Sequence, residues 1–179
     1  EQSVVRIVAQ RDGLDLTFNG IAAPASCAGT LNEARFCEFT ASSSFTVEGT
    51  QPFLVLQFMI GQGPALAECQ RNPPPMLPPC MGDPTMVTEV PVEQFRTSYD
   101  FYVPDTYVRN VMNVVSNADA EITLDGVAIT GPSVDVPGGF KVWYVQVPPG
   151  RHSIRTNNDR RFSIKVYGVA PYTSYMYPG

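Results

Sequence analysis

A chain of 179 residues with a 44% hydrophobic share can bury roughly 70% of its unfolded surface, which excludes global disorder and any need for a metal to supply a core. Its 17 prolines exclude a helix-built fold, because each one inside a helix costs about 3 kcal/mol. A net charge of −5 with only two lysines offers no basic face for nucleic acid, and no apolar run approaches the roughly 20 residues of a membrane-spanning helix.

The chain opens at Glu1-Gln2 with neither Met nor a signal-peptide pattern, so it is expected to be a mature or excised piece of a longer product. A first strand is predicted at Val4–Ala9. Leu16-Thr17-Phe18-Asn19-Gly20-Ile21-Ala22-Ala23 then reads as a hairpin, with Asn-Gly supplying the two positive φ values of a type I′ turn. Phe18 would face Ile21, and Leu16 would face Ala23. Phe53–Ile60 is apolar at both alternations and predicts a central strand buried on two sides. Residues Gln62 to Val92 hold 8 of the 17 prolines and predict an extended connecting loop, of a length that is often functional. One helical turn is expected at Glu93–Arg96.

The second half repeats the strand grammar. Val111–Ser116 and Phe140–Val147 are predicted strands, and Ile122-Thr123-Leu124-Asp125-Gly126-Val127-Ala128-Ile129 is a second type I′ hairpin. Pro148-Pro149-Gly150 is a turn. Phe162–Tyr167 alternates, with Phe162, Ile164 and Val166 facing inward and Ser163 and Lys165 facing outward. The two hairpin segments match in character at every position, 106 residues apart. A second match, at an offset of 109, pairs Phe45-Thr46-Val47 and Phe53–Phe58 with Ile154-Arg155-Thr156 and Phe162–Tyr167. The pattern predicts an internal repeat, although any two β lobes contain hairpins. The expectation is an all-β fold of two related sandwich-like lobes, residues 1–61 and 93–179, joined by a Pro-rich loop over 62–92, the whole able to behave as one compact unit.

Four cysteines allow three pairings. The local one joins Cys27 to Cys37 and Cys69 to Cys80, pinning the Pro-rich loop; the alternative is four buried thiols. Neither pair has zinc-ligand spacing or a histidine nearby. Two bridges would place the chain in an oxidising compartment.

Few residues offer chemistry. His152 is the one histidine and follows a turn, where a hydrogen-bonded or solvated role is the simpler reading. The pairs Asp12/Asp15 and Asp100/Asp105 fit turn chemistry as well as calcium. Phosphate-binding glycine loops are absent, so neither enzyme activity nor a cofactor is expected. Aromatic clusters remain: Tyr99 and Tyr102, Trp143, and the C-terminal Tyr172, Tyr175 and Tyr177. Such rings anchor protein interfaces, stack on sugars, or fill a core. The terminal segment Tyr172–Gly179 is expected to dock, on its own lobe or on a neighbour.

An ordered series of motifs carries a resemblance. It comprises Gly82-Asp83-Pro84-Thr85-Met86, Pro91-Val92-Glu93-Gln94-Phe95-Arg96 followed by Tyr99 and Phe101, Pro104-Asp105-Thr106-Tyr107, and Leu124-Asp125-Gly126. Pro149-Gly150-Arg151-His152, Val166-Tyr167-Gly168 and Ser174–Gly179 complete it, with Phe53–Gln62 fitting in the first half. The series resembles the IgGFc-binding protein N-terminal domain family over residues 4–179. That resemblance implies an all-β, non-enzymatic, extracellular or cell-surface module, as in large secreted bacterial proteins of myxobacterial type. It implies adhesion or structural assembly through a protein partner or a second copy, and carries no catalytic residues. The alternative is a carbohydrate-binding module using exposed Tyr or Trp.

Overall fold

The computed structural model describes residues 2–61 and 81–179. Regular structure is almost wholly antiparallel β. Among the described residues the helical pieces are single 3-10 turns, Ala25–Cys27 and Val92–Gln94, the second falling one residue before the predicted turn at Glu93.

Six strands form the first half: β1 (Ser3–Ala9), β2 (Leu16–Asn19), β3 (Phe36–Ala41), β4 (Thr46–Gly49), β5 (Phe53–Met59) and β6 (Met86–Thr88). They make a sheet of order β3-β1-β5-β6 and a ribbon β2-β4. Alternation explains the core between them. Val5 and Ile7 of β1 point inward beside Cys37, and Phe18, Phe39 and Phe45 close over them. The three rings stand 5.7–6.1 Å apart.

The second half holds β7 (Ser98–Val103), β8 (Arg109–Asn117), β9 (Ile122–Leu124), β10 (Val127–Ala128), β11 (Ser133–Val136), β12 (Phe140–Gln146), β13 (Gly150–Thr156), β14 (Phe162–Ala170) and β15 (Thr173–Pro178). Its sheets run β11-β12-β8-β14-β15 and β10-β9-β13-β7. The larger core lies between them, built on Met112, Val114, Ile154, Phe162, Ile164 and Val166, each essentially inaccessible.

Strand order recurs between the halves. β3-β1-β5-β6 in the first corresponds to β12-β8-β14-β15 in the second, and β2-β4 corresponds to β9-β13. Register agrees as well. Phe18 lies opposite Val47 and Leu16 opposite Gly49, just as Leu124 lies opposite Ile154 and Ile122 opposite Thr156. The residue corresponding to Ile154 is thus Val47, not the Phe45 that the sequence match suggests.

The strands predicted at Val4–Ala9, Val111–Ser116 and Phe140–Val147 are present. So is the Asp125-Gly126 hairpin: both residues have positive φ, 51° and 81°, and Leu124 pairs with Val127. The Asn19-Gly20 hairpin is not formed. Gly20 has a φ of 97° but Asn19 is not left-handed, and β2 pairs with the distant β4 instead. Two causes act together. Pro24 curtails any return strand, and pairing with β4 puts Phe18 against Phe39 and Phe45. Gly20 serves a different end: a Cβ there would sit 2.9 Å from a Pro137 ring carbon, so the glycine lets the two halves approach.

Two further expectations need correction. β5 is an interior strand, between β1 and β6, but it is not buried on both sides; Leu54 is 41% exposed. The ribbon β2-β4 covers only one face of its sheet. Ser163 is buried rather than outward, because its face of β14 turns toward the first half, where Lys165 meets Gln57 and Glu89.

Candidate functional site

The Cys27–Cys37 bridge is present, with Cα atoms 5.1 Å apart, and fastens the Ala25–Cys27 turn to β3. Ser26 adds a hydrogen bond, its Oγ donating to the Glu38 carbonyl at 2.7 Å. Bridge and hydroxyl together hold the turn against β3, the outermost strand of its sheet, the kind of position where unpaired backbone invites wrong pairing. Cys69 and Cys80, and most of the Pro-rich loop, lie outside the described residues.

The candidate aromatic residues divide by position. Tyr99 is buried; its ring meets Phe162 edge-on at 5.2 Å and its hydroxyl donates to the Phe162 carbonyl at 2.9 Å. Burial raises its pKa. Tyr175 and Tyr177 stack at 5.9 Å on β15. The Tyr175 hydroxyl donates to Asn110 Oδ1 at 2.8 Å and its ring meets Tyr107 edge-on at 4.6 Å. Tyr177 donates to the Tyr102 carbonyl at 2.6 Å. Desolvation raises the pKa of both, with repulsion from Tyr177 and Tyr107 adding to the effect at Tyr175. Trp143 is half-buried against the larger core, with Lys141 Nζ over its ring at 5.4 Å. Tyr102 and Tyr172 remain exposed, at 56% and 67%, on different strand ends. The six residues therefore do not form one platform.

The C-terminal segment docks on its own half. β15 pairs with β14 from Ala170↔Thr173 to Lys165↔Pro178. Gly168 permits this arrangement: a Cβ there would collide with the Tyr175 ring and with Asn110 Oδ1. Sequence reading passed over Gly168 and Asn110, although the Val166-Tyr167-Gly168 motif contained the first.

His152 is held rather than poised. Nδ1 lies 2.7 Å from Asp125 Oδ2, Nε2 lies 2.8 Å from the Pro148 carbonyl, and the ring packs on Phe101. Asp125 also accepts the Ser153 N–H at 2.9 Å. These two hydrogen bonds, His152 first, lower the pKa of the Asp125 carboxyl. No group of three metal-ligating side chains occurs among the described residues, and no described helix could cross a membrane. A cleft of about 440 Å³ opens between the β9-β10 hairpin and strands β8 and β12. Its walls are Val111, Leu124, Val127, Ile129 and Tyr144 with Arg109, so no carboxylate or imidazole there supports acid–base chemistry.

An apolar outer face marks the first sheet. Phe36, Leu54 and Met86 are exposed on it, at 54%, 41% and 53%. Arg6 lies flat among them, its guanidinium 4.6 Å from the Phe36 centroid and 5.3 Å from that of Phe58. Nε donates to Glu38 Oε2 at 2.8 Å, and one Nη meets the same oxygen at 2.6 Å.

The residues that carried the sequence resemblance act as a set. The Gly82 N–H donates to the Ala170 carbonyl at 2.9 Å, and Ser174 Oγ donates to the Asp83 carbonyl. Arg96 and Phe162 exchange backbone hydrogen bonds of 3.0 and 2.8 Å. Tyr107 and Tyr102 receive Tyr175 and Tyr177 as described. These motifs knit the segments before β6 and β7 to the β14-β15 end of the large sheet. A family model described as IgGFc binding protein matches residues 1–168.

The chain belongs to the IgGFc-binding protein family.

In this member the family motifs are architectural. Those around Gly82 and Arg96 tie the segments before β6 and β7 to β14 and β15, while Leu124 also lines the 440 Å³ cleft. No curated protein and no solved structure matches the chain.

Proposed function

We propose that this IgGFc-binding family member is a non-enzymatic extracellular or cell-surface module that acts in adhesion or assembly through protein–protein contacts. The observation that carries the reading is the outer face of β3-β1-β5-β6. An antiparallel sheet with one face on the core ordinarily turns polar side chains to water on the other. Here Phe36, Leu54 and Met86 stand in water instead, and exposed apolar patches of this kind mark partner surfaces. Family membership and the Cys27–Cys37 bridge support the extracellular setting. The matching strand orders support descent of the halves from one duplicated unit, near 1–61 and 93–179, with β6 (Met86–Thr88), inside the stretch expected to be a connecting loop, completing the first.

The carbohydrate-binding alternative draws less support. Stacking needs free ring faces, and Tyr99, Tyr175 and Tyr177 spend their hydroxyls and rings inside the fold.

The test uses surface plasmon resonance with immunoglobulin Fc and with the chain itself as analytes, alongside a glycan array. Saturable protein binding that Leu54→Lys abolishes supports the reading. Selective glycan hits with no protein binding at all would overturn it.

A further inference from the structure

We infer that Lys165 and Gln57 are the two ends of an intramolecular isopeptide cross-link between the halves, with Glu89 as the proton carrier that forms it. Paired backbone brings the three groups together. Lys165 Nζ, on β14, donates to Gln57 Oε1 and, at 2.7 Å, to Glu89 Oε1. Gln57 sits on β5 opposite Val5, on the core face of the first sheet. Glu89 follows β6, and its own N–H donates to the Val55 carbonyl at 2.8 Å. Amine and amide are 108 residues apart in the chain, yet they meet in the junction, where little of the lysine side chain reaches water.

Orientation presents the amide carbon to the amine. Gln57 Nε2 donates to Ser3 Oγ at 2.7 Å, which turns the amide nitrogen away from Lys165 and its carbonyl toward Nζ. Chemistry selects Gln57 over Glu89 as the acyl donor. A carboxylate resists an amine, because its carbon is shielded by the negative charge and an oxide would have to leave. A neutral carboxamide keeps an electrophilic carbon, and its nitrogen leaves once protonated.

The step balances with no further reactant. Glu89 accepts one proton from the Lys165 ammonium, and the amine lone pair attacks Gln57 Cδ. The Nζ–Cδ bond forms and the Cδ–Nε2 bond breaks. Nε2 departs as ammonium, with its own two hydrogens, the proton returned by Glu89 and a second proton shed by Nζ. Glu89 ends as it began, a carboxylate. Oriented groups held in contact reach effective molarities of roughly 10⁵ M or more, and a positioned carboxylate adds about 10²–10⁴-fold. The product also has a partner in place. Asn113 lies directly opposite Lys165 on β8, and its Oδ1 is buried with no hydrogen-bond partner among the described residues. An orphaned acceptor is costly, and the N–H of the new amide forms beside it. The reaction runs once per molecule, so it is self-modification rather than turnover and fits a non-enzymatic module.

Intact-mass spectrometry of the full chain, fully reduced and denatured after folding, tests this. The parent should weigh about 17 Da less than its sequence, the mass of the ammonia released when the amide is the acyl donor. A digest should contain a branched peptide joining Gln57 to Lys165. Lys165→Arg, which keeps the cation without the nucleophile, and Gln57→Met should each show the full sequence mass. Glu89→Gln should form the link at least about a hundredfold more slowly on refolding. Circular dichroism confirms that each variant is folded, and the parent's own mass and digest decide the matter if one is not. A folded parent of full mass, a mass loss without the branched peptide, or a branch at Glu89 with the loss of water instead of ammonia would each overturn the inference. So would a folded Glu89→Gln variant that links as fast as the parent.

Discussion

At the residue scale, single atoms decide local outcomes. Gly168 matters because a methyl group there would occupy space used by the Tyr175 ring and Asn110 Oδ1. Gly168→Ala should destabilise the fold by about 1–3 kcal/mol, the usual cost of overpacking. Denaturant melts against the parent would show it, with Gly13→Ala a comparison at a site that has positive φ but open space. Asp125 sets an acid limit. Its folded pKa is depressed, so its contribution is fully present above the unfolded value near 3.9 and is lost as pH falls through the folded one. Asp125→Asn should lower the melting temperature at neutral pH, and the gap from the parent should close below about pH 4. With a side chain 48% exposed, the gap should be modest. Tyrosines set an alkaline limit. Tyr99, Tyr175 and Tyr177 have raised folded pKa values, so their contribution is intact below the unfolded value near 10 and falls as pH climbs above it. Absorbance at alkaline pH should show Tyr99, Tyr175 and Tyr177 ionising late, together with unfolding.

At the element scale, the stapled turn beside β3 has two consequences. Closing an 11-residue loop contributes about 2.8 kcal/mol on the chain-entropy model, and Cys27→Ser with Cys37→Ser should cost about that much in urea unfolding. The same variant also frees the turn from β3. Aggregation should therefore rise in light scattering at temperatures where the variant is still folded. Loss of stability alone, without that rise, would mean that the turn does not shield the strand. Elements also show how local preference competes with burial. Asp125-Gly126 turns tightly because Val127 and Ala128 can pair back at once with Leu124 and Thr123. Asn19-Gly20 has comparable turn chemistry but is drawn elsewhere, since β4 offers Phe18 an aromatic cluster that Ile21 and Ala23 could not.

At the scale of the whole molecule, the halves are joined by a polar clamp. Lys165 on β14 donates to Glu89 Oε1 at 2.7 Å and also to Gln57 Oε1. Gln57 in turn donates to Ser3 at 2.7 Å. The lysine side chain is only 16% exposed, so its loss strands polar groups of the first half away from water. Lys165→Met should cost about 1–3 kcal/mol. It should also broaden or split a single calorimetric transition as the halves uncouple. An unchanged, equally sharp transition would place the coupling in the backbone contacts around Gly82 and Arg96 instead.

Much of this architecture is written in local pattern. Proline content forbids long helices; alternation at Phe162, Ile164 and Val166 sets an inward face; Cys27 and Cys37 are close enough in sequence to meet. The family, too, is legible from short motifs, because tight turns and glycines follow from geometry that a few residues dictate. Partner choice for β2 was not legible, since a strand's pairing depends on which distant surface completes a core. Nor was the fate of the tyrosines, for Tyr99, Tyr172 and Tyr175 read alike in sequence and only packing buries the first, frees the second and ties the third to Asn110. β5 shows the division most sharply. Its sequence, apolar at both alternations, determined that both faces gain from burial. The tertiary structure decided that only one is covered within the chain, because the two-stranded ribbon opposite can lie on a single side of the sheet.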